Sequence, residues 1–138
     1  MATATVQLRN IPGTEAAAGW TGGHTIVVDR PEGKAGGGGL GFNGGQLLAL
    51  AIGGCFCNDL RYVSHEMGID LATIEVEVTL EMEGTPLIAT GAVMYVHATA
   101  ADARADVNQI IERAKAISTV ANSLKRGFAV ETVVGKSP

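Results

Sequence analysis

The chain has 138 residues, 46% of them hydrophobic and 17% charged, and carries a formal net charge of −4 at pH 7. That length and balance fit one globular domain spanning residues 1–138 and exclude a disordered chain. An acidic sequence with no cluster of Lys and Arg has no field to gather nucleic acid, so nucleic-acid binding is not expected.

The N-terminus, Met-Ala-Thr-Ala-Thr-Val-Gln-Leu-Arg, lacks the basic start and apolar core of a secretory signal, which makes the cytosol the expected compartment. Thr3 to Leu8 set Thr, Thr and Gln against Ala, Val and Leu in alternation, the period of a half-buried strand. A turn is expected at Asn10 to Gly13, around Pro12. Trp20 and the Gly22-Gly23 pair lead into His24–Asp29, a second strand rich in β-branched residues, expected to pair antiparallel with the first. Arg30 to Gly45 is loop, anchored by Leu40 and Phe42. Its glycines leave two readings open, a mobile linker or a backbone drawn close to something.

The segment Asn43–Met67 organises the chain. Leu47, Leu48, Ala51, Ile52, Leu60 and Val63 recur at mostly helical spacing, and Ala49, Leu50 and Phe56 make other sides apolar. A helix apolar nearly all round is expected to be buried. Asn43 suits its N-cap and Gly68 its C′ position. Its apolar part, Leu47 to Phe56, is broken by two glycines and is too short to span a bilayer.

Beyond the helix, Ile74, Val76, Val78, Leu80 and Met82 alternate with Glu75, Glu77, Thr79, Glu81 and Glu83, a strand with one apolar and one acidic face. Such evenly spaced glutamates read as solvated surface rather than paired catalytic carboxylates. Gly84-Thr-Pro86 turns the chain into a partner strand, Leu87 to Thr99, to make a hairpin. Thr99 and Asp102 have the spacing of a capping box, ahead of a stripe at Val107, Ile110, Ile111, Ala114 and Ile117 that predicts an amphipathic helix. Ser118 to Lys125 predicts a further helical turn ended by Gly127, and Phe128 to Val134 a last strand. The order gives an α+β fold with antiparallel sheet and a long buried central helix.

Both cysteines lie on the central helix, at Cys55 and Cys57. An offset of two is roughly 200° of rotation, so the thiols face nearly opposite ways and cannot bridge. The spacing is also wrong for a redox Cys-x-x-Cys pair, and no His stands at zinc-ligand distance in the sequence. Neither a metal nor another cofactor is called for. A nucleophilic cysteine needs a cation or a helix N-terminus to favour its thiolate. Cys55 is too deep in its helix for the terminal dipole. Without an activator it reads as a small buried hydrophobe. Asp59, one turn on, would oppose a thiolate if it faced the same pocket. His24, His65 and His97 read as structural or surface residues.

Taken together, the glycine-rich loop, Asn43-x-x-Gln46-Leu47-x-Ala49, Gly54-Cys55-Phe56, Gly68-Ile69-Asp70-Leu71, the Glu-Val-Glu-Val strand and Leu124 before a closing segment resemble the OsmC/Ohr family of osmotically inducible and organic-hydroperoxide-resistance proteins. The resemblance implies an intertwined homodimer with its active sites at the subunit interface. It also implies thiol peroxidase chemistry on organic hydroperoxides, with Cys55 at the peroxidatic position. Two departures stand out. Ser118 occupies the place of the family's usual second cysteine, so the resolving disulfide is absent. Gly45 lies in the segment where the hydroperoxide-resistance branch carries a glutamate that positions an activating arginine; Arg9 and Arg61 are the nearest candidates for that arginine. Cys57 could resolve only a Cys55 on another chain.

Two functions follow. One is a single-cysteine peroxidase whose Cys55 sulfenate is reduced by an external thiol. The other is a non-catalytic dimer holding a small hydrophobic ligand at its interface.

Overall fold

The structure is a computed structural model and describes residues 1–138. The elements run β1 (Gln7–Asn10), β2 (Ala17–Thr21), β3 (His24–Val28), α1 (Gly44–Met67), β4 (Leu71–Glu83), β5 (Ile88–Ala100), α2 (Val107–Ile117) and α3 (Thr119–Arg126). Strands β1, β2 and β3 form one antiparallel sheet in that order, and β4 and β5 form a hairpin. The fold is α+β, as the element order implies. No helix is long and apolar enough to cross a membrane.

The chain divides into two compact units, Met1–Leu50 with Leu80–Ala92, and Ala51–Thr79 with Val93–Pro138. Helix α1 and the hairpin each continue from one unit into the other.

In the first unit the N-terminal sheet differs from expectation. The first strand begins at Gln7 rather than Thr3, and its partner is β2, not the His24 strand. Strand β2 is interposed and pairs with both neighbours, placing Gly19 opposite Leu8 on one side and Ile26 on the other. Its sequence, Ala-Ala-Gly-Trp-Thr, carries no alternation, which is why pattern alone misses it. The turn expected at Asn10 to Gly13 forms one residue later, at Ile11–Thr14, with Gly13 at φ +80 and the Thr14 N–H donating to the Ile11 carbonyl.

The glycine-rich loop after β3 is tied to one carboxylate. Asp29 is only 5% exposed. Its Oδ2 accepts the N–H groups of Gly38 and Leu40, each at 3.0 Å, and its Oδ1 accepts the Arg30 N–H at 2.8 Å. These donors, Leu40 foremost, hold the Asp29 carboxyl below the usual carboxylate range, against the opposing effect of burial. The loop is thus a clasp rather than a linker. It returns Phe42 to β3, where the Phe42 N–H donates to Val27 and the Phe42 carbonyl accepts from Asp29.

Helix α1 starts where predicted, by a reciprocal cap. Asn43 Oδ1 accepts the Gln46 N–H at 2.9 Å, and Gln46 Oε1 accepts the Asn43 N–H at 3.0 Å. A Cβ on Gly45 would come within 3.2 Å of the Met82 Sδ and Cε, so Met82 holds the space a longer side chain would need.

In the second unit α1 ends at Gly68, with φ +67. The Gly68 and Ile69 N–H groups donate back to His65 and Ser64, which closes the helix in a Schellman motif. The core is Phe56, Leu60, Val63, Leu71, Ile110 and Ala114, with Ile74, Val76, Met94 and Val96 of the hairpin packed against it. Each fully buried large side chain contributes about 1.5–3 kcal/mol. Gly53 lets the hairpin approach, since a Cβ there would lie 3.0 Å from Val78 Cγ2.

Three further expectations need correcting here. Helix α1 is not covered all round within the chain: Ile52, Phe56, Leu60 and Val63 are buried, while Ala51, Gly54, Asn58 and Tyr62 are exposed, Tyr62 by 70%. One helix and one hairpin can cover only one side of it. The cap of α2 is Asp106, whose carboxylate accepts the Gln109 N–H, whereas Thr99 lies inside β5 and Asp102 binds Arg104. Phe128–Val134 forms no strand; its residues lie exposed, because no sheet edge of the chain is paired with them. Helices α2 and α3 and the stop at Gly127 fall where the sequence puts them.

Candidate active site

Cys55 lies on the flank of α1, between its buried stripe and its exposed face, and is half-buried. The helix brings residues four apart together, and Asp59 is such a residue. The Cys55 thiol donates to Asp59 Oδ2 across 3.6 Å. Asp59 is 6% exposed.

The second partner comes from the other end of the sequence. Ser118 stands at the corner between α2 and α3, where its φ of −65 and ψ of 108 break the helix. It is 1% exposed. A serine in that position ordinarily caps the following helix, a contact worth about 1 kcal/mol. Here the hydroxyl forms no cap bond. It donates instead to Cys55 Sγ at 3.9 Å, while its carbonyl accepts the Asn122 N–H at 3.0 Å. Ser118 therefore faces Cys55 across the core of this unit.

The candidate arginines are engaged elsewhere. Arg61 Nη1 donates to the Leu71 carbonyl at 3.1 Å, and the Arg9 guanidinium lies over the Trp20 ring, 6.0 Å from its centroid. The hydrogen-bond partners of the sulfur are an acid and an alcohol. Cys57 is half-buried, and its sulfur makes no side-chain hydrogen bond. His24, His65 and His97 are exposed, as are Glu75, Glu77, Glu81 and Glu83 along β4.

Chemically, the arrangement is a thiol with a proton acceptor on one side and a hydroxyl on the other. The i, i+4 spacing of Cys55 and Asp59 was visible in the sequence. The facing of Ser118 was not, since 63 positions separate it from Cys55.

Elsewhere, a cavity of about 490 Å³ opens beside the glycine loop, lined by Glu15, Asp29, Gly36 and Leu40 among others. Its buried carboxylate is already satisfied by the loop's own backbone, so it serves the clasp.

A family model described as OsmC-like protein matches residues 36–133. Solved structures agree in fold. An OsmC-like protein of unknown function from Vibrio cholerae superposes with a TM-score of 0.75 at 10% identity, covering 89% of this chain and 94% of that one. An OsmC-like protein from Mycoplasma pneumoniae gives 0.72 at 12% identity, over 90% and 88%. An organic hydroperoxide resistance protein, OsmC, from Legionella pneumophila gives 0.62 at 19% identity, over 91% and 92%. At these identities the likeness is one of fold. No curated protein matches the sequence.

Proposed function

The chain belongs to the OsmC-like family, and on that premise we propose that it is a thiol-dependent peroxidase of the OsmC type, reducing organic hydroperoxides through Cys55 alone. No cation of the same chain bonds to the sulfur, so the observation that carries this reading is the polar seat of the sulfur. A cysteine kept as a small hydrophobe packs against apolar atoms, as Cys57 is free to do. Cys55 instead meets Asp59 and Ser118, and Ser118 forgoes a helix cap to do so. The substrate class is that named for the hydroperoxide resistance protein of like fold.

In the reaction Cys55 sulfur attacks the distal oxygen of the hydroperoxide. The O–O bond breaks, the alcohol leaves, and Cys55 becomes a sulfenic acid. With a hydroxyl at Ser118, no thiol within reach closes a disulfide. One external thiol therefore condenses with the sulfenic acid and releases water. A second displaces the resulting mixed disulfide and restores Cys55. No cofactor is needed. The working form is a homodimer, in which a second copy covers the exposed Ala51, Gly54, Asn58 and Tyr62 face of α1. Two unpaired thiols suit a reducing compartment such as the cytosol.

The test is the rate of thiol loss when the purified protein meets cumene hydroperoxide, with Cys55→Ser and Cys57→Ser as controls. Rapid loss, abolished by Cys55→Ser and kept in Cys57→Ser, is the expected outcome. Loss no faster than that of a free thiol overturns it and leaves a dimer that holds a small hydrophobic ligand.

A further inference from the structure

Asp59 is the least expected group in the second unit. A carboxylate withdrawn from water costs several kcal/mol unless cations or N–H donors offset it. Asp59 is 94% buried by complement of its 6% exposure, yet its side-chain hydrogen-bond partner is a thiol, a weak donor. No salt bridge reaches it: Arg113 pairs with Glu66, and Lys115 with Glu112. Nor does it cap a helix, being in the interior of α1. Its one side-chain hydrogen bond is the one to Cys55.

We infer that Asp59 is the proton carrier of the Cys55 reaction, taking the thiol proton as sulfur attacks and giving it to the departing alkoxide. This rests on the peroxidase reading above and assigns a role that reading leaves open. A thiol attacking a hydroperoxide must lose a proton at one end of the reaction, and an alkoxide must gain one at the other. An alkoxide is a poor leaving group, so a positioned acid accelerates its departure, by typically 10²–10⁴-fold.

The balance closes on this one carboxylate. Cys55 sulfur bonds to the distal oxygen, which keeps its own hydrogen. The O–O bond breaks and its electron pair goes to the proximal oxygen. The thiol proton passes to Asp59 as the S–O bond forms and then to the alkoxide. Sulfur is oxidised by two electrons, the hydroperoxide is reduced to alcohol, and Asp59 ends in the state in which it began. A cation beside the sulfur would favour the thiolate but bring no proton to the leaving oxygen. The Asp59 carboxylate can receive the thiol proton in either reaction, but only the hydroperoxide needs that proton returned to a leaving oxygen, which is why the two reactions of Cys55 should respond unequally to its loss.

The experiment compares wild type, Asp59→Asn and Asp59→Glu at one neutral pH, following Cys55 thiol loss to cumene hydroperoxide and to iodoacetamide, in a Cys57→Ser background. Iodide leaves without a proton. Asp59→Asn removes a negative charge that opposes charge on the sulfur together with an acceptor for its proton, so alkylation is expected to change little. The hydroperoxide rate is expected to fall by about a hundredfold, with part of it restored in Asp59→Glu.

An Asp59→Asn variant with an unchanged hydroperoxide rate overturns the carrier role while leaving the peroxidase intact. Equal slowing of both reactions, with Asp59→Glu no better, also overturns it, by assigning Asp59 to structure alone. A wild type whose Cys55 reacts with hydroperoxide no faster than a free thiol removes the peroxidase reading and the carrier with it.

Discussion

Asp29 and Asp59 are buried to nearly the same degree, at 5% and 6% exposure, yet their surroundings are opposite. Asp29 sits at the end of β3 and accepts three backbone N–H groups, with the Arg30 guanidinium 3.3 Å from its Oδ1. Each of its lone-pair directions does the work of a missing secondary-structure partner for the glycine loop. Asp59 has a thiol. Burial alone does not distinguish a structural carboxylate from a chemical one; the number and strength of the donors does. A carboxylate met by several N–H donors holds a shape, whereas one met by a thiol has a partner with which it can exchange a proton.

The widest effect that would break this comparison lies in the core beneath the second carboxylate. Phe56→Ala should destabilise the protein by about 3–5 kcal/mol, read by denaturant unfolding, because Phe56 is fully buried next to Cys55 in sequence. A loss under 1 kcal/mol would mean that the site is not seated on this core.

The next effect is a covalent test of the facing of Ser118. A Ser118→Cys variant should form a disulfide with Cys55 on mild oxidation. Thiol titration would then find Cys57 as the remaining free thiol, and the closed loop should stabilise the oxidised protein by about 2–4 kcal/mol over its reduced form. Persistence of both original thiols under oxidation would show that the 3.9 Å approach does not exist in solution.

The smallest effect is the sharpest comparison of the two carboxylates. Asp59→Asn replaces a carboxylate whose one side-chain hydrogen bond is to a thiol and should raise stability by about 1 kcal/mol. Asp29→Asn should lower it, and amide exchange at Gly38 and Leu40 should accelerate by about tenfold or more as the clasp opens. Acid adds a signature. Asp29 is held below the usual carboxylate range, so its contribution is present above that range and is lost as pH falls below about 4 through its lowered value. Wild type should lose stability over that window more steeply than Asp29→Asn. Equal slopes, or stability changes of the same sign at the two positions, would erase the distinction.

Much of the fold could be read from residue order. Asn43 and Gly68 bracket α1, period two marks β4, and the stripe from Val107 to Ile117 marks α2. These signals are local: caps, turns and periodicity act over a few residues. What was misread is non-local. Strand β2 exists because β1 and β3 flank it, not because Ala17–Thr21 resembles a strand. Phe128–Val134 has the composition of a strand but pairs with no strand of the chain. The cap expected at Thr99 moved to Asp106 because β5 runs on to Ala100 and the chain needs a further turn before α2.

For the site the division is the same. The sequence by itself determined that Cys55 lies in mid-helix with Asp59 one turn away, since 3.6 residues per turn leaves no other arrangement. It also determined that Cys57 faces away. Only the tertiary structure decided that Ser118 turns its hydroxyl from α3 to the sulfur, and that Asp59 is buried without a cation. Both depend on how α2 packs beside α1, a choice made by the shared core around Phe56, Leu60, Ile110 and Ala114. Core packing is set by shape complementarity between segments distant in sequence, and no local pattern encodes it.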